Sequence, residues 1–162
     1  MIIRKTTMND VNDVLKIFET AREFMVRNGN TTQWGNGYPG EDILTQDILN
    51  GHSYVCVEDG NVVGTFSFMI GEEPTYLKIE QGEWRSNKLY GTIHRVASSG
   101  TAKGITKACF DFCASQIDYL RIDTHADNLS MQSAIKKYGF KECGIIFVRN
   151  GAERVAFDYL AN

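Results

Sequence analysis

Two histidines and one turn of small residues are the parts of this sequence with the most chemistry to offer. His94 lies mid-strand in "TIHRVA", and His125 closes "YLRIDTH" just ahead of Asn128. Imidazole titrates near neutral pH, so each is a candidate general base. Each also reads as a strand histidine held by a local hydrogen bond. Glu80 and Glu83, in the stretch before "LYGTIHRVA", are weaker candidates, because most loop carboxylates are simply solvated. Cys56, Cys109, Cys113 and Cys143 form no CxxC pair, and His52, His94 and His125 are scattered. That spacing argues against a zinc site and for small buried thiols. No metal is expected.

The turn is "VASSGTAKGITKACFDFC". It enters as a strand, passes through small residues and leaves as a helix. A P-loop needs G-x-x-x-x-G-K-[ST], but Gly100 and Gly104 are four apart and Ile105 follows. A dinucleotide fingerprint needs G-x-G-x-x-G directly after the first strand, and this turn comes later. What remains is physical. Unpaired N–H groups at the start of a helix carry the positive end of its dipole and bind anions. Lys103 and Lys107 add charge. The turn is therefore either a phosphate cradle or a plain strand-to-helix connection.

The elements that must position these residues follow from periodicity. Ile2 to Lys5 is a strand, and Thr7 with Asp10 resembles a capping box. Val11, Val14, Leu15, Phe18 and Met25 sit at helical spacing, which predicts a helix over 10–27. A second helix over 41–50 stops at Gly51. "SYVCVEDGNVVGTFSFMI" is a hairpin turning at Asp59-Gly60. An irregular stretch follows, with a short strand expected at 76–79. Then come the strand "LYGTIHRVA", a helix over 103–116, the strand "YLRIDTH" and the helix "NLSMQSAIKKY" ended by Gly139. A last hairpin crosses Asn150-Gly151. The order is β-α-α-β-β-β-α-β-α-β-β, an α/β (α+β) mixed sheet with helices on both faces. The long loops over 28–40 and 71–87 are the expected walls of a site.

The totals narrow the function. At 162 residues the chain suits a single domain over 1–162. A net charge of -3 with no Lys/Arg block speaks against nucleic acid or an anionic membrane as partner. The start "MIIRKTTMND" turns polar too soon for a signal peptide, and "NVVGTFSFMI" is too short to span a bilayer. The cytoplasm is the expected compartment.

The element order, the turn and "DNLSMQSAIKKYGF" together resemble the GCN5-related N-acetyltransferase (GNAT) superfamily. More narrowly, "NTTQWGNGYP", "YVCVEDG", "GTIHRVAS" and "IDTHADN" resemble an uncharacterised bacterial subgroup of it. The family's turn carries [QR]-x-x-G-x-[GA]. Aligned on Gly104, this chain has Thr101 first and Thr106 last, so only the central glycine is kept. The downstream signature, an Asn and then Gly-Phe after a helix, is met by Asn128, Gly139 and Phe140.

The resemblance implies the acyl-CoA N-acyltransferase fold: a mostly antiparallel sheet whose fourth and fifth strands splay apart. It implies acetyl-CoA as cosubstrate and an acetyl transfer to a primary amine, on a small molecule or a protein, by direct attack. Contacts to the coenzyme are expected from Val96, Ala97, Ser98, Ser99, Thr101, Ala102, Lys103, Gly104, Ile105, Thr106 and Asn128. The family's usual tyrosine acid falls at Ile135; Tyr138, three residues on, is a candidate in its stead or a helix-end core aromatic. His125 comes before His94 as the expected base. Trp34 and Tyr38 lie where the family covers its acceptor, as a lid or as packing for the loop. The departures at Thr101 and Ile135 keep a rival open, a non-catalytic acyl-CoA-binding or regulatory domain of the same fold. The C-terminal hairpin is an edge that in some relatives pairs across a homodimer.

Overall fold

Apolar residues recur every three to four positions in the helices and every second position in the strands, and the elements follow that pattern. The computed structural model describes residues 1–161. The elements are β1 (Ile2–Lys5), α1 (Val11–Arg27), α2 (Glu41–Leu49), β2 (Ser53–Glu58), β3 (Asn61–Ile70), β4 (Gly91–Ser98), α3 (Ile105–Gln116), β5 (Tyr119–Thr124), α4 (Leu129–Tyr138), β6 (Lys141–Phe147) and β7 (Glu153–Leu160). The strands form one sheet in the order β1-β2-β3-β4-β5-β7-β6. Only the β4–β5 pair is parallel.

Alternation sends neighbouring side chains to opposite faces. Val55 of β2 joins α1 and α2 in one core with Val14, Phe18 and Leu44, whereas the adjacent Cys56 joins α3 and α4 in another with Phe110 and Ile135. Helices therefore cover both faces.

Two irregularities in β4 shape the site. The first is a bulge. Ser67 pairs with His94 and Thr65 with Ala97, so a single residue of β3 faces both Arg95 and Val96. Arg95 takes the left-handed φ of 53° that this extra residue requires. As a result His94 and Arg95, though adjacent, both turn toward the α1/α2 side. The second is a parting of strands. β4 and β5 pair only from Gly91–Leu120 to Ile93–Ile122, and beyond that the β5-facing edge of β4 has no strand partner.

The connection between β3 and β4 differs from expectation. In place of a strand at 76–79 there is a 3-10 turn over Pro74–Tyr76 and one isolated bridge, Glu80 to Ile145. Proline at the turn's first position favours that geometry. Close approach then fixes the loop on β6: a Cβ on Gly82 would clash with the Cys143 carbonyl oxygen. The rest of the loop caps a third core of Tyr76, Tyr90 and Tyr119. There the Arg121 guanidinium lies over Trp84 and Tyr90, 4.2 and 4.0 Å from their ring centres. The fully buried Asp158 receives the Arg85 side chain, the Arg85 N–H and the Tyr119 hydroxyl. No described helix is long and apolar enough to cross a membrane.

Candidate active site

A cavity of about 580 Å³ opens where β4 and β5 part. Its walls come from the 28–40 loop, the bulge of β4, the end of β5, the start of the 71–90 loop and the β6–β7 turn. Both loops singled out by length therefore reach it, although the second contributes only Glu73 and Thr75.

His94 stands on the cavity wall between two carboxylates. Its Nε2 lies 3.1 Å from Glu73 Oε1 and its Nδ1 4.0 Å from Asp123 Oδ2. A carboxylate only accepts, so Nε2 carries the proton toward Glu73, and Nδ1 is the free acceptor of the neutral ring. Glu73 is fixed in turn: its other oxygen accepts from the Thr75 N–H at 2.9 Å and its own N–H donates to the Tyr90 hydroxyl at 2.8 Å. The bond from His94 holds the Glu73 carboxyl down to about 2, so it stays ionised. Asp123 accepts from the buried Tyr76 hydroxyl at 2.6 Å, and burial beside that carboxylate keeps the phenol protonated, far above its ordinary range.

His125 is placed differently. Its Nδ1 accepts the Asp127 N–H at 2.9 Å, so Nε2 carries the proton and meets Thr32 Oγ1 at 3.1 Å. The lone pair a base requires is occupied, and His125 is off the cavity wall. Beside it, Asn128 caps α4 through Met131 N–H and donates to Gln33 Oε1, which also receives Asn30. These bonds tie the 28–40 loop to the start of α4.

Trp34 and Tyr38 both line the cavity but differ in exposure. Trp34 is buried edge-on against Phe18 and packs the loop onto α1. Tyr38 is exposed at the rim, and its hydroxyl accepts from Arg95 at 3.1 Å. Arg95 also forks onto Asp47 of α2 at 2.7 to 3.0 Å, which fixes the bulge to α2.

Tyr138 is elsewhere. It packs on Phe110 and Tyr159 between α3 and α4 and donates to Asp111 at 2.7 Å, with its proton held more tightly than usual by burial. It does not touch the cavity. Ile135 is wholly buried.

The turn at 98–104 lies at the surface beyond the cavity. Gly104 caps α3 in the left-handed conformation with φ 77°, no side chain caps the helix, and the space over Gly100 and Gly104 is open. Ser98 accepts the Gly100 N–H, Ser99 that of Thr101, and the Ser99 and Thr101 hydroxyls bond at 2.6 Å. Ala97 and Ile105 are buried in the cores, so they present only backbone here. Val96 lines the cavity, Ala102 packs on the α3 side, Thr106 is half-buried and Lys103 is exposed.

These features fit an extended thioester coenzyme. The unpaired edge of β4 offers main-chain groups to an amide chain. Thr124 Oγ1, on the cavity wall, is buried without a partner, the kind of atom a bound ligand satisfies. The uncapped N-terminus of α3 suits a pyrophosphate. No group of three or more metal-ligating side chains gathers among the described residues.

Sequence reasoning missed Glu73, Thr124 and Arg154. Glu73 had one local signal: an acid directly before the proline that opens a turn occupies a capping position. Thr124 and Arg154 have none, since only the parting of β4 from β5 and the face alternation of β7 place them.

No family model and no curated protein sequence matches the chain. Solved structures do. A GNAT-family acetyltransferase from Streptococcus agalactiae superposes with a TM-score of 0.91 at 29% identity, over 99% of this chain and 95% of that one. A candidate acetyltransferase from Staphylococcus aureus gives 0.72 at 23% identity, covering 99% of both chains. A ribosomal-protein-alanine N-acetyltransferase from Brucella melitensis gives 0.65 at 17%, again over 99% of both, and shares the fold. With the bulged, splayed sheet and this degree of likeness over the full length, the chain belongs to the GCN5-related N-acetyltransferase superfamily.

Proposed function

We propose that the 162 residues act as one domain that transfers the acetyl group of acetyl-CoA to a primary amine, with His94 as the base. The observation that carries this reading is the pair of carboxylates around His94, on a cavity that opens at the parting of β4 and β5. Bound acetyl-CoA supplies the acetyl thioester. The edge of β4 from His94 to Ser98 holds the pantetheine arm, and its N–H groups near the bulge polarise the thioester carbonyl; one such donor is worth a few kcal/mol. Ser98 to Thr106 hold the pyrophosphate with backbone N–H groups, hydroxyls and Lys103, which offsets the missing Arg or Gln at Thr101. Thr124 bonds the coenzyme chain from β5, and Asn128 holds the far side of the gap.

An amine enters as a cation drawn by Glu73 and Asp123 and must lose a proton before it attacks. Nδ1 of His94 takes that proton. Glu73 orients the ring through Nε2, and Asp123 faces the imidazolium that forms. No side chain replaces the family's tyrosine acid. The leaving thiol has a pKa near ~8.5, so the C–S bond breaks to a thiolate at modest cost, and the proton that the newly acylated nitrogen sheds passes to that thiolate or to solvent. Tyr138 braces α3 against α4, and His125 positions the 28–40 loop.

The test is thiol release from acetyl-CoA across an amine panel with wild-type and His94→Ala protein. Turnover that falls by about 10²-fold or more in the variant, with unchanged acetyl-CoA affinity, supports the reading. Coenzyme binding without turnover of any amine favours a binding domain instead.

A further inference from the structure

The same cavity contains a cation that the transfer reaction does not use. Arg154 alternates with Ala156 and Asp158 on β7 and so shares their face, and across the sheet Ala156 is the partner of Asp123. The side chain is buried, at 8% exposure, and lines the cavity. Among the described residues its one hydrogen bond is from Nη1 to the neighbouring Glu153 carbonyl at 2.9 Å. Among the described residues it has no ion pair. Of the other guanidiniums on this wall, Arg95 is consumed by Asp47, Tyr38 and Ser67, and Arg149 is exposed on the β6–β7 turn. Burial lowers the Arg154 pKa, and the nearby Asp123 carboxylate opposes this only in part. An unneutralised buried charge is costly unless a ligand completes it.

The cavity is thus polarised. Glu73 and Asp123 supply negative charge at the β4–β5 end, and Arg154 supplies positive charge on the next strand. A guanidinium presents a planar fork that matches a carboxylate. A zwitterion placed with its ammonium toward His94 and its carboxylate toward Arg154 complements both ends. A dianionic phosphate would meet Glu73 and Asp123 as like charges.

We propose that Arg154 binds the carboxylate of the acceptor, so that the substrate is an amino carboxylate, a small molecule bearing both a primary amine and a carboxylate. This rests on the acetyl-transfer reading above. His94 and Arg154 line the same cavity from β4 and β7, with β5 between them. The cavity they share has room for an amino acid or a short peptide, and the rest of it receives the side chain.

Matched triplets test this on the wild-type protein: an amino acid, its carboxamide and its decarboxylated amine, assayed by thiol release from acetyl-CoA. The set runs over the common amino acids and a few dipeptides. The carboxylate form is expected to exceed both partners in kcat/KM by about 30-fold or more. In Arg154→Met that preference collapses, mainly through a higher acceptor KM, while acetyl-CoA affinity is retained; Arg154→Lys restores part of it. Equal or better turnover of the amides and simple amines overturns the assignment and leaves acetyl transfer standing. An unchanged preference in Arg154→Met also overturns it. Absence of turnover with every amine defeats the underlying reading, and this assignment with it.

Discussion

At the scale of single residues, the decisive contrast is between two histidines that look alike in sequence. His94 has a carboxylate on each side and one nitrogen free; His125 has both nitrogens in hydrogen bonds. Their variants should separate in kinetics. His94→Ala is expected to reduce kcat by about 10²-fold or more. His125→Ala is expected to raise the acceptor KM several-fold with a smaller change in kcat, because it frees Thr32 and the 28–40 loop. Steady-state kinetics with a saturating coenzyme decides this, and equal loss of kcat in both variants would contradict the distinction. The sequence offered both rings as candidates and preferred His125, because proximity to Asn128 is visible in one dimension. The partners that decide the matter come from other elements: Glu73 lies 21 residues from His94 and Thr32 lies 93 from His125. Neither separation leaves a local pattern.

At the scale of elements, the β4 bulge and the turn that follows carry the site. Arg95 at the bulge is tied to Asp47 of α2. Asp47→Ala leaves a largely buried guanidinium without its counter-ion, and a loss of about 3 kcal/mol in unfolding free energy is expected. Chemical denaturation measures it, and a change below about 1 kcal/mol would show that the clamp is dispensable. At the turn, Gly104→Asp puts a side chain at φ 77° and a negative charge beside the helix N-terminus. Acetyl-CoA affinity should fall at least ~10-fold, equivalent to about 1.4 kcal/mol. Gly104→Ala, with the strain and without the charge, should bind more tightly than the Asp variant. Calorimetric titration reads both, and unchanged affinity in Gly104→Asp would refute the cradle. Strands, helices and their order were legible because each carries its own period: α1 from Val11, Val14 and Phe18, and the β6–β7 hairpin from Asn150-Gly151. The bulge was not, because "TIHRVA" alternates no differently from a regular strand; only pairing with Ser67 and Thr65 exposes the extra residue. A short strand is expected at 76–79 because Tyr76 and Ile79 are good strand formers, yet both pack in the third core from a loop.

At the scale of the whole molecule, acid stability and thiol reactivity follow from burial. The Glu73 carboxyl falls to about 2 in the folded chain, below its ordinary value near ~4.3. A depressed carboxylate pKa contributes stability that is present above the ordinary value and is lost as pH falls through the folded one. The stability difference between wild type and Glu73→Gln should therefore be full at pH 6 and close between about pH 4.5 and pH 2. Urea unfolding across that range checks it, and a gap that is constant with pH would contradict the pairing with His94. The four cysteines are buried, and burial pushes Cys56 up to about 11 and Cys143 up to about 12. A thiol reagent at pH 8 should label none of them quickly until denaturant is added, which keeps coenzyme thiol release cleanly readable.

Acetyl transfer at the parting of β4 and β5, driven by His94, is the central claim. It is tested most directly by initial rates of thiol release from acetyl-CoA with an amino-acid acceptor, in wild-type and His94→Ala protein of equal coenzyme affinity. The account predicts turnover in the wild type and a loss of about 10²-fold or more in the variant. Equal rates in the two proteins would contradict it.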